Sequence, residues 1–196
     1  MGRIGEADEV EGLARRARAG DGRAMERLLA EVYPRVARWA RTQGLGEDDV
    51  EDVTQAALIA AYRALPAFRF ESRFETWLYR IVRRAVADWR RRQASWGRES
   101  VGEVGALGVM PGESADEARL SRVVRRAFEG LPARQREVFD LVELQGRSTE
   151  EVAELLSLAA STVRVHLLRA RRAIRRRVLE RDAALVEDRY GVQVVR

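Results

Sequence analysis

The chain contains no cysteine, which removes disulfides and thiolate metal sites and suits a reducing compartment. It has one histidine, His166, too little to build an imidazole metal site or a nucleophile–base pair. Lysine and asparagine are also missing, so all 36 basic residues are arginine. No stretch approaches the roughly 18 apolar residues of a membrane span. The opening "MGRIGEADEVEGLARRARAG" is charged throughout and lacks the apolar core of a signal peptide. Carboxylate pairs are abundant, but they fall on helix faces with no pocket implied. These absences predict a soluble intracellular protein, not an enzyme, with no catalytic residues, no metal, no cofactor and no membrane insertion.

What is present is arginine, unevenly placed. Exclusive use of arginine can reflect coding composition, so position carries more information than residue type. The net charge of +5 divides into 0 over residues 1–20, +3 over 21–92, −4 over 93–118, +7 over 119–181 and −1 over 182–196. A basic C-terminal third and an acidic middle are therefore hidden in a modest total. Clustered arginine is the electrostatic footprint of a polyanion binder, or else a solvated helix face.

The pattern along the chain is helical almost throughout. "GDGRAMERLLAEVYPRVARWARTQGLG" starts after an Asp21 cap and ends at Gly44. "EDDVEDVTQAALIAAYRALP" places Val50, Val53, Ala57 and Ala61 at helical spacing and closes at Pro66. A loop, "AFRFESRF", leads into "ETWLYRIVRRAVADWRRR". Residues 93–118 are glycine-bearing, acidic and without helical period, which predicts a flexible linker able to span roughly 85 Å if fully extended. Beyond it lie "LSRVVRRAFEGL", Pro132 at a helix start, a stop at Gly146, and a capping box formed by Ser148 and Glu151. The fold class is thus all-α: two small helical domains, 20–92 and 119–181, joined by a flexible acidic linker. Residues 1–19 form an extension or the start of the first helix, and 182–196 a tail, most simply a frayed end, whose "VQVVR" would otherwise add a strand or contact a regulator.

The stretch "STVRVHLLRARRAIRRR" at 161–177 follows a short capped helix and the break "SLAA". A short helix, a tight turn and a longer basic helix make the arrangement that sets its second helix in the major groove of DNA. At 100° per residue Val163, Leu167, Ala170, Ile174 and Val178 form a narrow packing stripe. Ser161, Arg164, Val165, Leu168, Arg172 and Arg175 lie opposite. Near the helix start, Arg164 suits a bidentate contact to guanine, and Val165 or Leu168 a thymine methyl. Further along, Arg171, Arg172, Arg175 and Arg176 suit phosphates. A membrane-surface helix would need a broader apolar face than this stripe. His166 falls off the groove-facing side, at a phosphate or a packed flank.

The first domain narrows the reading. Ten of the 13 aromatic residues lie between Tyr33 and Trp96, six of them between Phe68 and Trp89. On a wheel of 75–92, Leu78, Val82, Ala85, Val86 and Trp89 form the buried face. Trp77 points elsewhere, in line with Ile81, Arg84 and Asp88 and beside Arg80. An off-core aromatic flanked by arginines suits stacking on unpaired bases, or else packs under the loop.

Several ordered motifs then coincide. "DVEDVTQ" matches an acidic "D-x-E-D-hydrophobic-x-Q" helix, and Phe68 to Ile81 matches "F-R-x-x-S-x-F-x-T-W-L-Y-R-I". Leu131 to Phe139 matches "L-P-x-x-x-R-x-V-F", and "E-E-hydrophobic-A-E", "T-V-R" and "R-A-R-R-A" recur at 150–154, 162–164 and 169–173. Over 20–92 and 119–180 the sequence resembles bacterial RNA polymerase sigma factors of the extracytoplasmic-function (ECF) type, with no length left for the extra domains of housekeeping sigma factors.

The resemblance implies a sigma region 2 bundle at 20–92 and a sigma region 4 helix-turn-helix at 119–181. It implies core RNA polymerase as partner, through its β′ clamp and β flap, and promoter DNA as ligand. Asp49, Asp52, Gln55 and Arg63 would dock on the β′ clamp. The loop of Phe68, Arg69, Phe70, Ser72 and Phe74 would capture a flipped base of the −10 element, a step costing a few kcal/mol of unstacking. Trp77, Arg80 and Arg84 would hold the junction of duplex and single strand. Ser161, Thr162, Arg164, Val165, Leu168, Arg169, Arg171, Arg172 and Arg175 would meet the −35 element. The acidic linker would thread the polymerase's RNA-exit channel. An anti-sigma partner and a place in the cytoplasm, at the nucleoid, belong to the same expectation.

Departures from the family pattern stand at Phe70, where glycine is usual, Ala56, often glutamate, and Arg84, often asparagine. In the recognition helix, Ser161 replaces a usual glycine, and Val165 and His166 a Ser-Arg pair. Two other readings use parts of the same sequence. A stand-alone helix-turn-helix regulator would need only 119–181. A scaffold or anti-sigma-like protein would leave the arginine distribution without a purpose.

Overall fold

A computed structural model describes the backbone of residues 2–95 and 115–190, and the side chains of 8–95 and 121–180. Most of the acidic linker and the "VQVVR" end lie outside the described residues. The described residues are helical with no strand, and they form two compact units, broadly α1 to α4 and α5 to α8.

The first unit is built from α1 (Gly2–Arg18), α2 (Gly22–Thr42), α3 (Glu47–Ala64) and α4 (Phe74–Ser95). Residues 1–19, expected as an extension or the start of the first helix, hold a helix of their own in this unit, Gly2–Arg18. Val10, Leu13, Ala14 and Ala17 follow i, i+3, i+4, i+7 spacing and are all buried. Asp21 caps α2 as expected, its Oδ1 accepting from the Ala24 N–H at 3.0 Å. That N–H, and then the Arg16 guanidinium, hold the Asp21 carboxyl below its usual range. Arg16 donates two bonds to Asp21 Oδ2, at 2.6 and 3.0 Å, and so fixes the corner between α1 and α2.

α2 runs through Pro34 and ends where Gly44 adopts φ +89°. α3 opens on Glu47, Asp48 and Asp49, which oppose the partial positive charge of a helix N-terminus. It buries Val50, Val53, Ala57 and Ala61, the stripe read from the sequence. Ala40, Leu45, Val50, Val53, Val86 and Trp89 form one buried cluster where α2, α3 and α4 meet. On α4 Leu78, Val82, Val86 and Trp89 are buried as expected, while Ala85 is only half-buried. Tyr79 is buried too, its ring edge-on to Trp39 at 4.9 Å between centroids.

The second unit comprises α5 (Ala115–Glu129), α6 (Ala133–Phe139), α7 (Thr149–Leu156) and α8 (Ala160–Tyr190). α6 continues into a π-helical turn, Asp140–Leu144. Phe128, Leu131 and Ala170 are its packed centre, flanked by Phe139, Ala173 and Ile174. Arg136 of the "L-P-x-x-x-R" motif is buried and donates to the Glu129 carbonyl at 2.8 Å, satisfying the end of α5. The capping box forms: the Ser148 N–H donates to Glu151 Oε2 at 2.8 Å, and the Glu151 N–H to Ser148 Oγ at 3.1 Å. Ser157, at φ +53°, turns the chain from α7 into α8. α8 continues past 181, so residues expected in the tail are helical as far as Tyr190.

Candidate nucleic-acid interface

α8 presents the two faces that its spacing dictates. Val163, Leu167 and Ala170 are buried, Ile174 and Val178 are half-buried, and Ser161, Arg164, Val165, Leu168, Arg172 and Arg175 are exposed. Val165 and Leu168 remain 45% and 47% exposed, large apolar side chains held out on a basic face. Thr162 is half-buried and Arg169 exposed.

The arginines of this face are not equivalent. Arg164 Nη2 lies 2.7 Å from Glu150 Oε1 of α7. Glu150 is held below the usual carboxylate range, first by a backbone N–H, then by the Thr149 hydroxyl and Arg164. It therefore stays ionised at neutral pH. Arg171 Nε lies 2.9 Å from Glu143 Oε1, so this expected phosphate contact is tied to the π-helical turn. Arg177 turns inward and donates to the Ala127 carbonyl at 2.8 Å. Its guanidinium occupies the space that a Cβ on Gly130 would enter. Half-buried His166 is held below its usual pKa by burial first, then by Arg134 and Arg169, so it is neutral at pH 7 and adds no charge to the face.

In the first unit, the loop between α3 and α4 rests on an aromatic floor. Phe68 and Phe74 are buried, and Trp77 is half-buried and stacked on Phe68, with centroids 4.7 Å apart and planes 23° apart. Trp77 thus packs under the loop on one side, as one of the two expectations had it, while the rest of the ring stays accessible. Phe68 and Phe74 support it from beneath. Phe70 is half-buried, 4.5 Å from Phe68 and at φ +56°. The position where the resemblance led to an expectation of glycine therefore has a glycine-type backbone, which a phenylalanine side chain must tolerate. Arg69 is exposed and 3.9 Å from Glu71, Ser72 is half-buried, and Arg80 and Arg84 are exposed along α4.

Sequence reasoning missed two sets of residues here. Glu11 of α1 accepts the Phe74 N–H at 2.9 Å, and Arg15 lies over the Phe70 ring at 4.2 Å. The buried spacing of α1 was a usable signal; its link to a loop some 60 residues away was not. On α3, Asp52, Gln55 and Arg63 share an exposed side with Ile59 and Tyr62, which are 51% and 55% exposed. Asp49 is half-buried in the first turn beside Gly46.

No helix among the described residues is long and apolar enough to cross a membrane. The family model for Sigma-70 region 2 matches residues 28–95, and that for Sigma-70, region 4 matches 121–174. The ECF RNA polymerase sigma-E factor of Escherichia coli strain K12 is 36% identical over 177 residues, covering 85% of this chain and 92% of its own. The ECF RNA polymerase sigma factor SigM of Mycobacterium tuberculosis is 29% identical over 158 residues, covering 81% and 79%. Among solved structures, CnrH in complex with the cytosolic domain of CnrY aligns with TM-score 0.62 at 30% identity, covering 90% of this chain and 99% of that one. RpoE of Bartonella quintana, in complex with the anti-sigma factor NepR, aligns with TM-score 0.62 at 25% identity, covering 80% and 97%. A helix-turn-helix and an aromatic loop stand in one chain, each within a matched region, and the chain belongs to the ECF sigma factors of RNA polymerase.

Proposed function

We propose that this sigma subunit divides promoter recognition between the two faces described above, and that it adds no catalytic group of its own. The observation that carries the reading is the contrast between an exposed, mixed apolar and basic edge on α8 and a rigid aromatic loop in the other unit. A duplex-binding regulator would need only the first of these.

In this reading, Ser161, Thr162, Arg164, Val165 and Leu168 meet base edges of the −35 element, with Arg169, Arg171, Arg172 and Arg175 toward phosphates. The loop of Phe68, Arg69, Phe70, Ser72 and Phe74 takes an unpaired base of the −10 element. Trp77, Arg80 and Arg84 hold the fork between duplex and single strand. Stacking supplies about 1–3 kcal/mol per base, enough to offset much of the unstacking cost. Asp49, Asp52, Gln55 and Arg63 dock on the β′ clamp, and the exposed Ile59 and Tyr62 give that face an apolar centre. The second unit meets the β flap, and an anti-sigma protein covers these faces when the factor is held inactive. Its place of action is the cytoplasm, at the nucleoid.

The test is reconstitution. The purified chain should co-elute with core RNA polymerase and direct transcription from a mapped promoter carrying both elements. Failure to bind core would overturn the reading, and tight operator-like binding by the free protein would favour a stand-alone regulator.

A further inference from the structure

α1 meets the loop at 68–74 in three places. Glu11 Oε2 accepts the Phe74 N–H at 2.9 Å. The Arg15 guanidinium carbon lies 4.2 Å from the Phe70 ring centroid, and that of Arg18 lies 5.8 Å from it. The Phe70 ring is therefore packed against Phe68 at 4.5 Å and covered by a cation from another helix.

A stacked guanidinium uses its planar face and keeps its N–H donors around the edge. The Arg15 side chain is 60% exposed, and its Nη2 reaches Glu11 Oε1 at only 3.4 Å, a long and weak contact. Arg18 is exposed and has no carboxylate partner among the described residues. Arg16, between them, is bound by two short bonds to Asp21. Two of three neighbouring arginines are thus presented beside the loop, and the third is used to hold a corner. Stacking fixes Arg15 before any ligand arrives, which lowers the ordering cost of binding.

We propose that Arg15 and Arg18 of α1 bind backbone phosphates of the melted −10 strand, with the Phe70 ring as the platform that holds Arg15 in place. This rests on the reading of loop 68–74 as the −10 site, because a nucleotide held there brings its phosphates to the loop's outer edge. It also gives Phe70 a purpose at a position where the backbone favours glycine: the ring orients a cation from α1.

The test uses holoenzyme assembled from core polymerase and the full chain. Two DNAs are titrated over a salt series: a fork junction with a single-stranded −10 segment, and a duplex carrying the upstream element alone. Arg15→Ala combined with Arg18→Ala should weaken fork binding about tenfold at 0.1 M salt and flatten the salt slope by about 1.4, the value for two single-strand phosphates. Duplex binding should not change. Arg15 also pairs with Glu11, so Arg18→Ala alone provides the cleaner reading, with a slope change of about 0.7. Phe70→Gly should weaken fork binding while leaving most of the slope, because both charges remain. Wild-type affinity and slope in the double variant would overturn the assignment. If wild-type holoenzyme does not prefer the fork junction, the −10 reading of the loop falls with it.

Discussion

The two surfaces proposed to read the promoter are built in opposite ways. The loop at 68–74 is held by buried rings, by a backbone bond to Glu11 and by a cation from α1, so its shape is set by the core of its unit. The α8 face owes its shape to being a helix; its proposed readers project from an exposed side, and Arg164 and Arg171 rest on carboxylates of neighbouring elements. Unpaired bases have no fixed geometry and need a surface that imposes one. A major groove already has geometry and needs only side chains at helical spacing. Substitution should therefore damage the first surface through packing as well as contact, and the second through contact alone.

The largest expected effect is at Trp77. Trp77→Ala removes the ring stacked on Phe68 and, in the proposed reading, the surface for a base. The first loss lowers the folding stability of the unit, and the second, about 1–3 kcal/mol, lowers the stability of the opened promoter. Permanganate reactivity of melted thymines should fall about fivefold to 150-fold through the lost stacking, while upstream duplex binding stays within about twofold. Normal reactivity would break the contrast, because the aromatic floor would then be packing only.

Next is Arg164→Ala, expected to cost about 1–3 kcal/mol of discrimination at one base pair of the upstream element, with thermal stability unchanged. Competition binding against a set of single-base substitutions reads this directly. An unchanged base preference would remove Arg164 from the reading edge and leave Val165 and Leu168 as its centre.

The difference in construction also decides what the sequence could disclose. A helix face is legible because periodicity projects straight onto burial: Val163, Leu167 and Ala170 are inside, and Arg164, Val165 and Leu168 outside, as the 100° wheel requires. The caps at Asp21 and Ser148 were legible for the same reason, being local chemistry. Tertiary pairings were not. Nothing local connects Glu11 to Phe74, or Arg15 to Phe70, and the carboxylates that tether Arg164 and Arg171 come from other elements. The length of α8 was missed because the apolar residues of its later turns, Leu179, Ala183, Val186 and Tyr190, do not continue the stripe of Val163, Leu167, Ala170 and Ile174.

A smaller effect tests the backbone at Phe70. At φ +56° an L side chain costs roughly 1–2 kcal/mol relative to glycine. Phe70→Ala loses the ring and keeps the strain, whereas Phe70→Gly loses the ring and releases it. The glycine variant should be the more stable of the two by about 1 kcal/mol, some 4–8 °C in the melting of a unit this size. Equal melting temperatures would mean that the loop relaxes once the ring is gone, and that the first surface is less rigid than its packing implies.

The smallest expected effect sharpens the contrast from the other side. In the proposed reading Glu150 competes with a guanine edge for the donors of Arg164, so the pair opens as the base is read. Both side chains are well exposed, 62% for Arg164 and 64% for Glu150, so water and salt screen the attraction. Glu150→Gln removes the competitor and one negative charge from the approach to DNA. Affinity for all duplexes should rise about twofold to fivefold, mainly through a faster on-rate. The gain should be equal for matched and mismatched upstream elements, because the tether acts before any base is contacted. A gain confined to the matched element would show instead that Glu150 helps orient Arg164 for reading, and the α8 face would then share the preorganised character of the loop.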